Sequence, residues 1–174
     1  VQTEGADGVP PAYGYFRERN SQQAEAVMTE LLIGAIAQDL QLPIAPSVVA
    51  TVGGQRGLVS WSKEPFMPSV AEDMAHGFWS LDRQFKRFIN KHDSVAAAFA
   101  VIVAFDDFTH NADRSYSNLA KFEHRDKTPV LYGFDQEAAR MAKPSHMFQL
   151  PHYTLNVLQS LSDDKVRSPL EAFM

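Results

Sequence analysis

The sequence predicts an α+β protein in two parts, on three observations. Residues 1–62 hold a short aromatic strand, a helix and a β-branched hairpin. Lys63 to Val70 then carries Pro65 and Pro68 and reads as a connector. Beyond it the chain is mostly helical, with one further hairpin. A length of 174 residues suits one domain, or two small lobes, with room for a sizeable core.

Taken in order, Val1 to Ala12 is rich in Gly and Pro and reads as a loop, with Tyr13 to Arg17 as the strand that leaves it. Ser21 is the expected N-cap of a helix from Gln22 to Gln41, with Val27, Leu31, Ala35 and Leu42 as its apolar stripe, widened by Leu32 and Ile36. Pro43 closes that helix, since proline lacks the amide hydrogen a further turn needs. Ser47 to Val52 and Leu58 to Ser62 flank Gly53-Gly54 and form the hairpin. Ser80 opens a helix to Asn90, with Leu81, Phe85, Phe88 and Ile89 inward and Arg83, Lys86 and Arg87 outward. Asp93 or Ser94 caps the next helix, Val95 to Phe108, which is apolar nearly all round, the pattern of a central buried helix. Leu119 to Glu123 and Val130 to Phe134 read as strands joined by a charged turn. Met141 to Pro151 reads as a loop, and Tyr153 to Leu161 and Pro169 to Met174 as helical.

Composition narrows the functional classes. With no cysteine, disulfides and thiolate metal sites or nucleophiles are excluded, and a reducing, cytoplasmic setting is expected. A net charge of −5 gives no whole-surface basic field, so direct nucleic-acid binding is not expected, although a local basic cleft remains open. The longest apolar run, Val95 to Phe105, falls short of the roughly 18 residues of a membrane span. The amino end shows no signal-peptide pattern and opens on Val1, which leaves room for residues upstream.

The chemistry concentrates in Asp106 to Asn118, where the apolar helix turns abruptly polar. Asp113 and Asn118 have the D-x-x-x-x-N spacing of a protein-kinase catalytic loop. There the carboxylate orients or deprotonates a hydroxyl, and the amide oxygen is a hard ligand for magnesium. Asp135 ends the strand Val130 to Phe134, the place of the second metal ligand in that arrangement. The order of buried helix, D-x-x-x-x-N, strand, turn, strand and Asp is far more specific than either motif alone.

His110-Asn111-Ala112-Asp113-Arg114-Ser115-Tyr116-Ser117-Asn118-Leu119 resembles the N-x-D-R-x-x-x-N loop of the HipA-like kinases, relatives of the phosphatidylinositol kinases. Phe134-Asp135 is similar to that family's apolar-Asp metal pair, and Leu40-Gln41-Leu42-Pro43-Ile44-Ala45-Pro46 to the exit of its N-lobe helix. The resemblance covers roughly residues 12 to 140. It implies a small two-lobed kinase-like fold: N-lobe 1–62, hinge 63–70 and C-lobe 71–174. It further implies ATP and Mg²⁺ as cofactors, Glu30 as the helix glutamate that holds the phosphate-clamping cation, Trp61 in the adenine hinge, and Asn118 and Asp135 as metal ligands. Asp113 is then the catalytic aspartate, with Arg114 beside it bracing it or touching phosphate. The implied reaction moves the ATP γ-phosphate to a protein Ser or Thr hydroxyl, the protein's own included, and some family members pair with an antitoxin, an antitoxin-like protein partner.

The sequence departs from the family in the strand Tyr13-Gly14-Tyr15-Phe16-Arg17, where the lysine position falls on Tyr15 and Arg17 is the nearest cation. An arginine presents a planar fork where lysine presents a point charge. No glycine-rich phosphate loop is evident. A pseudokinase or nucleotide-binding interaction module is therefore the alternative function. A metal-dependent phosphohydrolase is a lesser one, built on Asp106, His110 and Asp113 at helical spacing and on the pair His92-Asp93.

Overall fold

The secondary structure is α+β, as the sequence predicts, and its two small sheets sit on either side of the proline connector. The computed structural model describes residues 13–19, 23–62, 69–75, 80–123, 128–136, 138–139, 152–161 and 165, the side chains of 13, 15, 61, 62, 122, 123, 152 and 153 excepted. The expected cap Ser21, the hinge 63–68, the loop 141–151 and the helix 169–174 lie outside the described residues.

β1 (Tyr13–Glu18), β2 (Ser47–Val52) and β3 (Gln55–Ser62) form an antiparallel sheet in the order β1-β3-β2. β3 starts earlier than expected because Gln55 pairs with Val52 directly across the Gly53-Gly54 turn. Both turn glycines have positive φ (58° and 83°), the backbone a tight hairpin requires and glycine accepts without strain. Gly57 lets β1 and β3 approach, since a Cβ there would run into the Arg17 carbonyl.

α1 (Ala24–Asp39) crosses this sheet, and its buried face differs from the expected stripe. Glu30, Ile33, Gly34 and Ala37 are buried, while Met28 and Leu32 are 65% and 57% exposed. Apolar residues run all round this helix, so hydrophobicity alone does not choose a face. The polar partners of Glu30, described below, choose it. The helix begins at Ala24 rather than Gln22, and Gln23 at its N-cap makes no side-chain cap.

α2 (Val70–Met74) is a short helix that the sequence reading passed over. Ser69 opens it with a capping box: its hydroxyl accepts from the Glu72 amide at 3.2 Å while the Glu72 carboxylate accepts from the Ser69 amide at 2.8 Å. α3 (Leu81–Lys91) and α4 (Asp93–Thr109) follow, then β4 (Leu119–Glu123), β5 (Pro129–Gly133) and α5 (His152–Leu158). α3 turns Phe85 and Ile89 inward and Arg83 and Arg87 outward, as expected. His92, not Asp93 or Ser94, is the N-cap of α4. The Ser94 hydroxyl instead donates to the Pro129 carbonyl at 2.7 Å, tying the helix to β5.

α4 is the centre of the core. Val95, Ala96, Phe99, Ile102, Val103 and Phe105 are at most 2% exposed and pack with Phe85, Leu119, Leu131 and Val157. Ile33, Ala37, Leu42 and Ile44 belong to the same cluster, so α1 and its exit are built into this core. Beyond Pro43 the chain bridges to β5: the Gly133 amide donates to the Pro43 carbonyl and the Ala45 amide to the Gly133 carbonyl, both at 2.8 Å. Among the described residues no single helix is long and apolar enough to cross a membrane.

Ser69→Ala is expected to cost about 1 kcal/mol in urea denaturation by removing the cap of α2. The bonds from Ser69 hold the Glu72 carboxyl below its usual 4.5. A depressed carboxylate stabilises above its unfolded value and loses that contribution as pH falls through the folded one, so the wild-type advantage over Ser69→Ala should shrink in acid.

Candidate active site

The polar loop is built on the end of α4. That helix stops at His110, whose φ of 53° is left-handed, and the Asn111 amide returns to the Asp106 carbonyl at 2.8 Å. His110 thus caps the helix, and the chain leaves the helical path before Asp113. Asp106, His110 and Asp113 therefore do not share one helix face, and the arrangement imagined for a phosphohydrolase is not formed. Among the described residues no group of three or more His, Asp or Glu side chains is placed to hold a metal.

Asp106 and Arg114 form the mechanical centre of the loop. Both are buried, with side chains 0% exposed. Arg114 Nε donates to Asp106 Oδ2 and Nη2 to Oδ1, each at 2.8 Å, a planar fork on a carboxylate. Nη1 donates to the Asn118 carbonyl at 2.9 Å and to the Phe134 carbonyl at 2.6 Å. Asn111 Nδ2 adds a bond to Asp106 Oδ1 at 3.1 Å and one to Gln136 Oε1 at 3.0 Å. Arg114 is therefore buried and engaged with one carboxylate and two carbonyls, and it fastens the helix end, the loop and the far end of β5 together.

That frame presents Asp113 and Asn118 differently. The Asp113 amide donates to Asn111 Oδ1 at 3.2 Å, while its side chain is exposed. A general base is expected in a sheltered place, and the structure instead sets the Asp113 carboxylate at the surface. Asn118 is 8% exposed and closes a turn of 3-10 helix, Tyr116–Asn118. Its Nδ2 donates to the Asp113 carbonyl at 2.9 Å, which fixes the amide and leaves Oδ1 as the atom able to meet a cation.

Asp135 lies across the hairpin from Asn118, because Leu119 pairs with Gly133 and the Phe134 amide donates to the Asn118 carbonyl at 3.1 Å. Its φ of 62° is left-handed, a conformation that aspartate tolerates better than most residues. Oδ2 accepts from Arg17 Nη1 at 2.7 Å, whereas Oδ1 is buried without a hydrogen-bond partner. An unmet carboxylate oxygen and a fixed amide, carried on facing segments of the hairpin, are the donor types that a hard divalent cation takes while keeping most of its ligands as water or phosphate.

Arg17 joins this end of the molecule to α1. Its Nη2 lies 3.3 and 3.2 Å from the two oxygens of Glu30, a residue only 1% exposed. Glu30 also accepts from Ser47 Oγ at 2.8 Å and Ser60 Oγ at 3.2 Å, with Arg19 Nη2 at 4.0 Å. One carboxylate on α1 thus gathers β1, β2 and β3, and this explains why α1 buries Glu30 in preference to Met28 or Leu32. Gly34 faces β2, where a Cβ would make ordinary contact with the Ser47 amide at 3.5 Å. The Trp61 backbone pairs with Gly14 at the end of β3, and its side chain lies outside the described residues.

Sequence reasoning missed three supports of the site. Asn111 and Gln136 form a buried amide pair under the loop. Tyr116 donates to Asp82 at 3.0 Å and packs edge-on against Phe85, anchoring the loop to α3. Burial pushes the Tyr116 phenol well above its usual 10.0, and the Asp82 carboxylate adds to the rise. The N-x-D-R pattern carried a signal for Asn111. Nothing local pointed to Gln136 or to the partner of Tyr116.

No family model matches this chain, and no curated protein matches it.

Removing Arg114 should leave Asp106 buried and unpaired, so Arg114→Ala is expected to cost about 3–5 kcal/mol, measured by chemical denaturation. Ultraviolet titration should find one tyrosine ionising above 10.0 that disappears in Tyr116→Phe. A raised phenol stabilises fully below its unfolded value and loses that contribution as pH climbs toward the folded one.

Proposed function

We propose that this chain is a HipA-like kinase domain that transfers the γ-phosphate of ATP to a hydroxyl, most simply a protein Ser or Thr. The observation that carries the reading is the ion-paired chain Glu30–Arg17–Asp135. It sets a cation from β1 between a buried glutamate on α1 and the aspartate that follows the D-x-x-x-x-N hairpin. Arg17 takes the part the family gives to lysine, two residues beyond the position at which Tyr15 replaces it. Its fork has one face on Glu30 and another on Asp135, so a phosphate group entering beside it meets an oriented guanidinium.

In the two-lobed arrangement so proposed, residues 1–62 form the nucleotide-clamping part and residues from 71 onward the catalytic part. Asn118 Oδ1 and Asp135 Oδ1 would hold Mg²⁺, which supplies neutralisation of charge on the transferred phosphoryl group. Asp113, exposed at the rim, is open to an acceptor chain approaching from solvent. Its carboxylate orients the hydroxyl and takes its proton as the new O–P bond forms and the bond from γ-phosphorus to the bridging oxygen breaks, releasing ADP. Catalysis of this type is mostly positioning. The Asp106–Arg114 frame supplies it by fixing the loop from beneath.

A second reading, a nucleotide-binding pseudokinase, is favoured by the absence of lysine at Tyr15 and by the engagement of Arg17 with two carboxylates. Calorimetry with Mg·ATP and transfer of labelled phosphate separate the two. The kinase reading expects binding and transfer, with Asp113→Ala abolishing transfer by on the order of 100-fold or more while nucleotide binding persists. Asp135→Asn and Arg17→Ala should weaken nucleotide binding itself. Binding without transfer establishes the pseudokinase, and absence of both overturns the family assignment.

A further inference from the structure

Away from the loop, α3 builds a second feature. Arg83, Arg87 and Lys91 recur every fourth residue along its exposed side, and with His92 they line an open groove of about 670 Å³. Its remaining walls are Asp73 and Met74 at the end of α2, with Gln84 and Phe88 on α3. Gln84 Nε2 donates to the Met74 carbonyl at 3.0 Å, so the two helices are fastened at the groove. Lys121 reaches in from β4, 5.4 Å above the Phe88 ring and 2.9 Å from Asp73. Asp73, the one carboxylate among the described residues that line the groove, is thus already paired with a lysine. Lys165 lies beside its Lys91 end, donating to the Asn90 carbonyl at 2.6 Å and pairing with Asp93 at 2.8 Å.

This concentration of positive charge stands on a chain whose net charge is −5. The dipole of α3 accounts for a cation in its last turn, Lys91, but not for a row reaching back to Arg83. Cations one helical turn apart stand about 6 Å apart at Cβ, close to the roughly 7 Å between alternate side chains of an extended chain. The groove also has apolar surface in Met74 and Phe88, to which a duplex backbone offers no counterpart.

We propose that the α3 groove docks an acidic polypeptide segment in extended form, its carboxylates at alternate positions meeting Arg87 and Lys91. Tyr116, bonded to Asp82 one residue before Arg83, joins this surface to the loop of Asp113. Docking is read by binding alone and stands independently of phosphoryl transfer.

The test is fluorescence anisotropy with a labelled glutamate-rich peptide, set against the same peptide with glutamine at every acidic position. The acidic peptide should bind, weaken as salt rises, and lose roughly ten-fold or more in affinity on the double change Arg87→Glu, Lys91→Glu. The milder pair Arg87→Gln, Lys91→Gln should give a smaller loss, and keeps the test open should charge reversal disturb folding by circular dichroism. Arg56→Glu, a single charge reversal on the β2–β3 hairpin, should leave binding unchanged, whereas Arg87→Glu alone, matched to it in charge, should weaken it. Equal affinity for the glutamine peptide, indifference to both α3 pairs, or a loss as large in Arg56→Glu overturns the proposal. Tighter binding of duplex DNA at the same residues also overturns it, in favour of nucleic acid.

Discussion

The buried pair of Asp106 and Arg114 is the interaction on which the polar end of this molecule depends. Taking two charges out of water carries a large desolvation cost, recovered only where geometry is good and the remaining donors and acceptors are met. Here the fork is bidentate, and Asn111 and the carbonyls of Asn118 and Phe134 take up what is left. The result is a joint that ties the end of α4 and the loop that follows it to the end of β5, 20 residues further along the chain. Gly133 belongs to this joint, because a Cβ there would press on Arg114 Nη1 at 3.3 Å. With the joint closed, the loop backbone has little freedom, and the side chains it presents are held from below.

Glu30 plays a parallel part for the amino-terminal sheet. That sheet does not rest on α1 through an apolar face alone; serines on β2 and β3 and an arginine on β1 converge on one buried carboxylate. The bond from Arg17 to Asp135 then couples the two sheets. Arg17 is about a third exposed, so this link is more screened by water than the Asp106–Arg114 pair. A rigid joint and a more exposed one therefore lie at opposite ends of the short segment Phe134-Asp135. Asp135, with its left-handed backbone and its unmet oxygen, carries the more exposed of the two.

Charge is distributed by the same logic. The cations that serve the fold and the candidate site, Arg17 and Arg114, are committed to carboxylates. Arg87 and Lys91 on the outer face of α3 are exposed to solvent, where attraction is weak for any one pair and grows with the number of charges presented together. The acidic balance of the whole chain conceals this local excess, which becomes visible only when α3 is seen as a helix with one face buried.

Much of the architecture was legible in the chain itself. Strand and helix periodicity, the glycines of the hairpin and the proline after α1 determine where the elements lie, because these signals act over a few residues and need no partner. The order of helix, D-x-x-x-x-N, strand and Asp135 marked the candidate site for the same reason. What only the tertiary structure decided was which side chains met. The face of α1 was misread because its apolar residues run all round it, and the choice fell to Glu30 through partners on three strands. Arg114 is buried because Asp106 meets it from α4, and Asp113 is exposed because the frame holds the loop backbone rather than that side chain. Arg17, the nearest cation in the sequence, became the link between Glu30 and Asp135 only on folding, across 118 residues of chain. Local sequence sets backbone preference; long-range pairing of charges is set by geometry that no stretch of residues contains by itself.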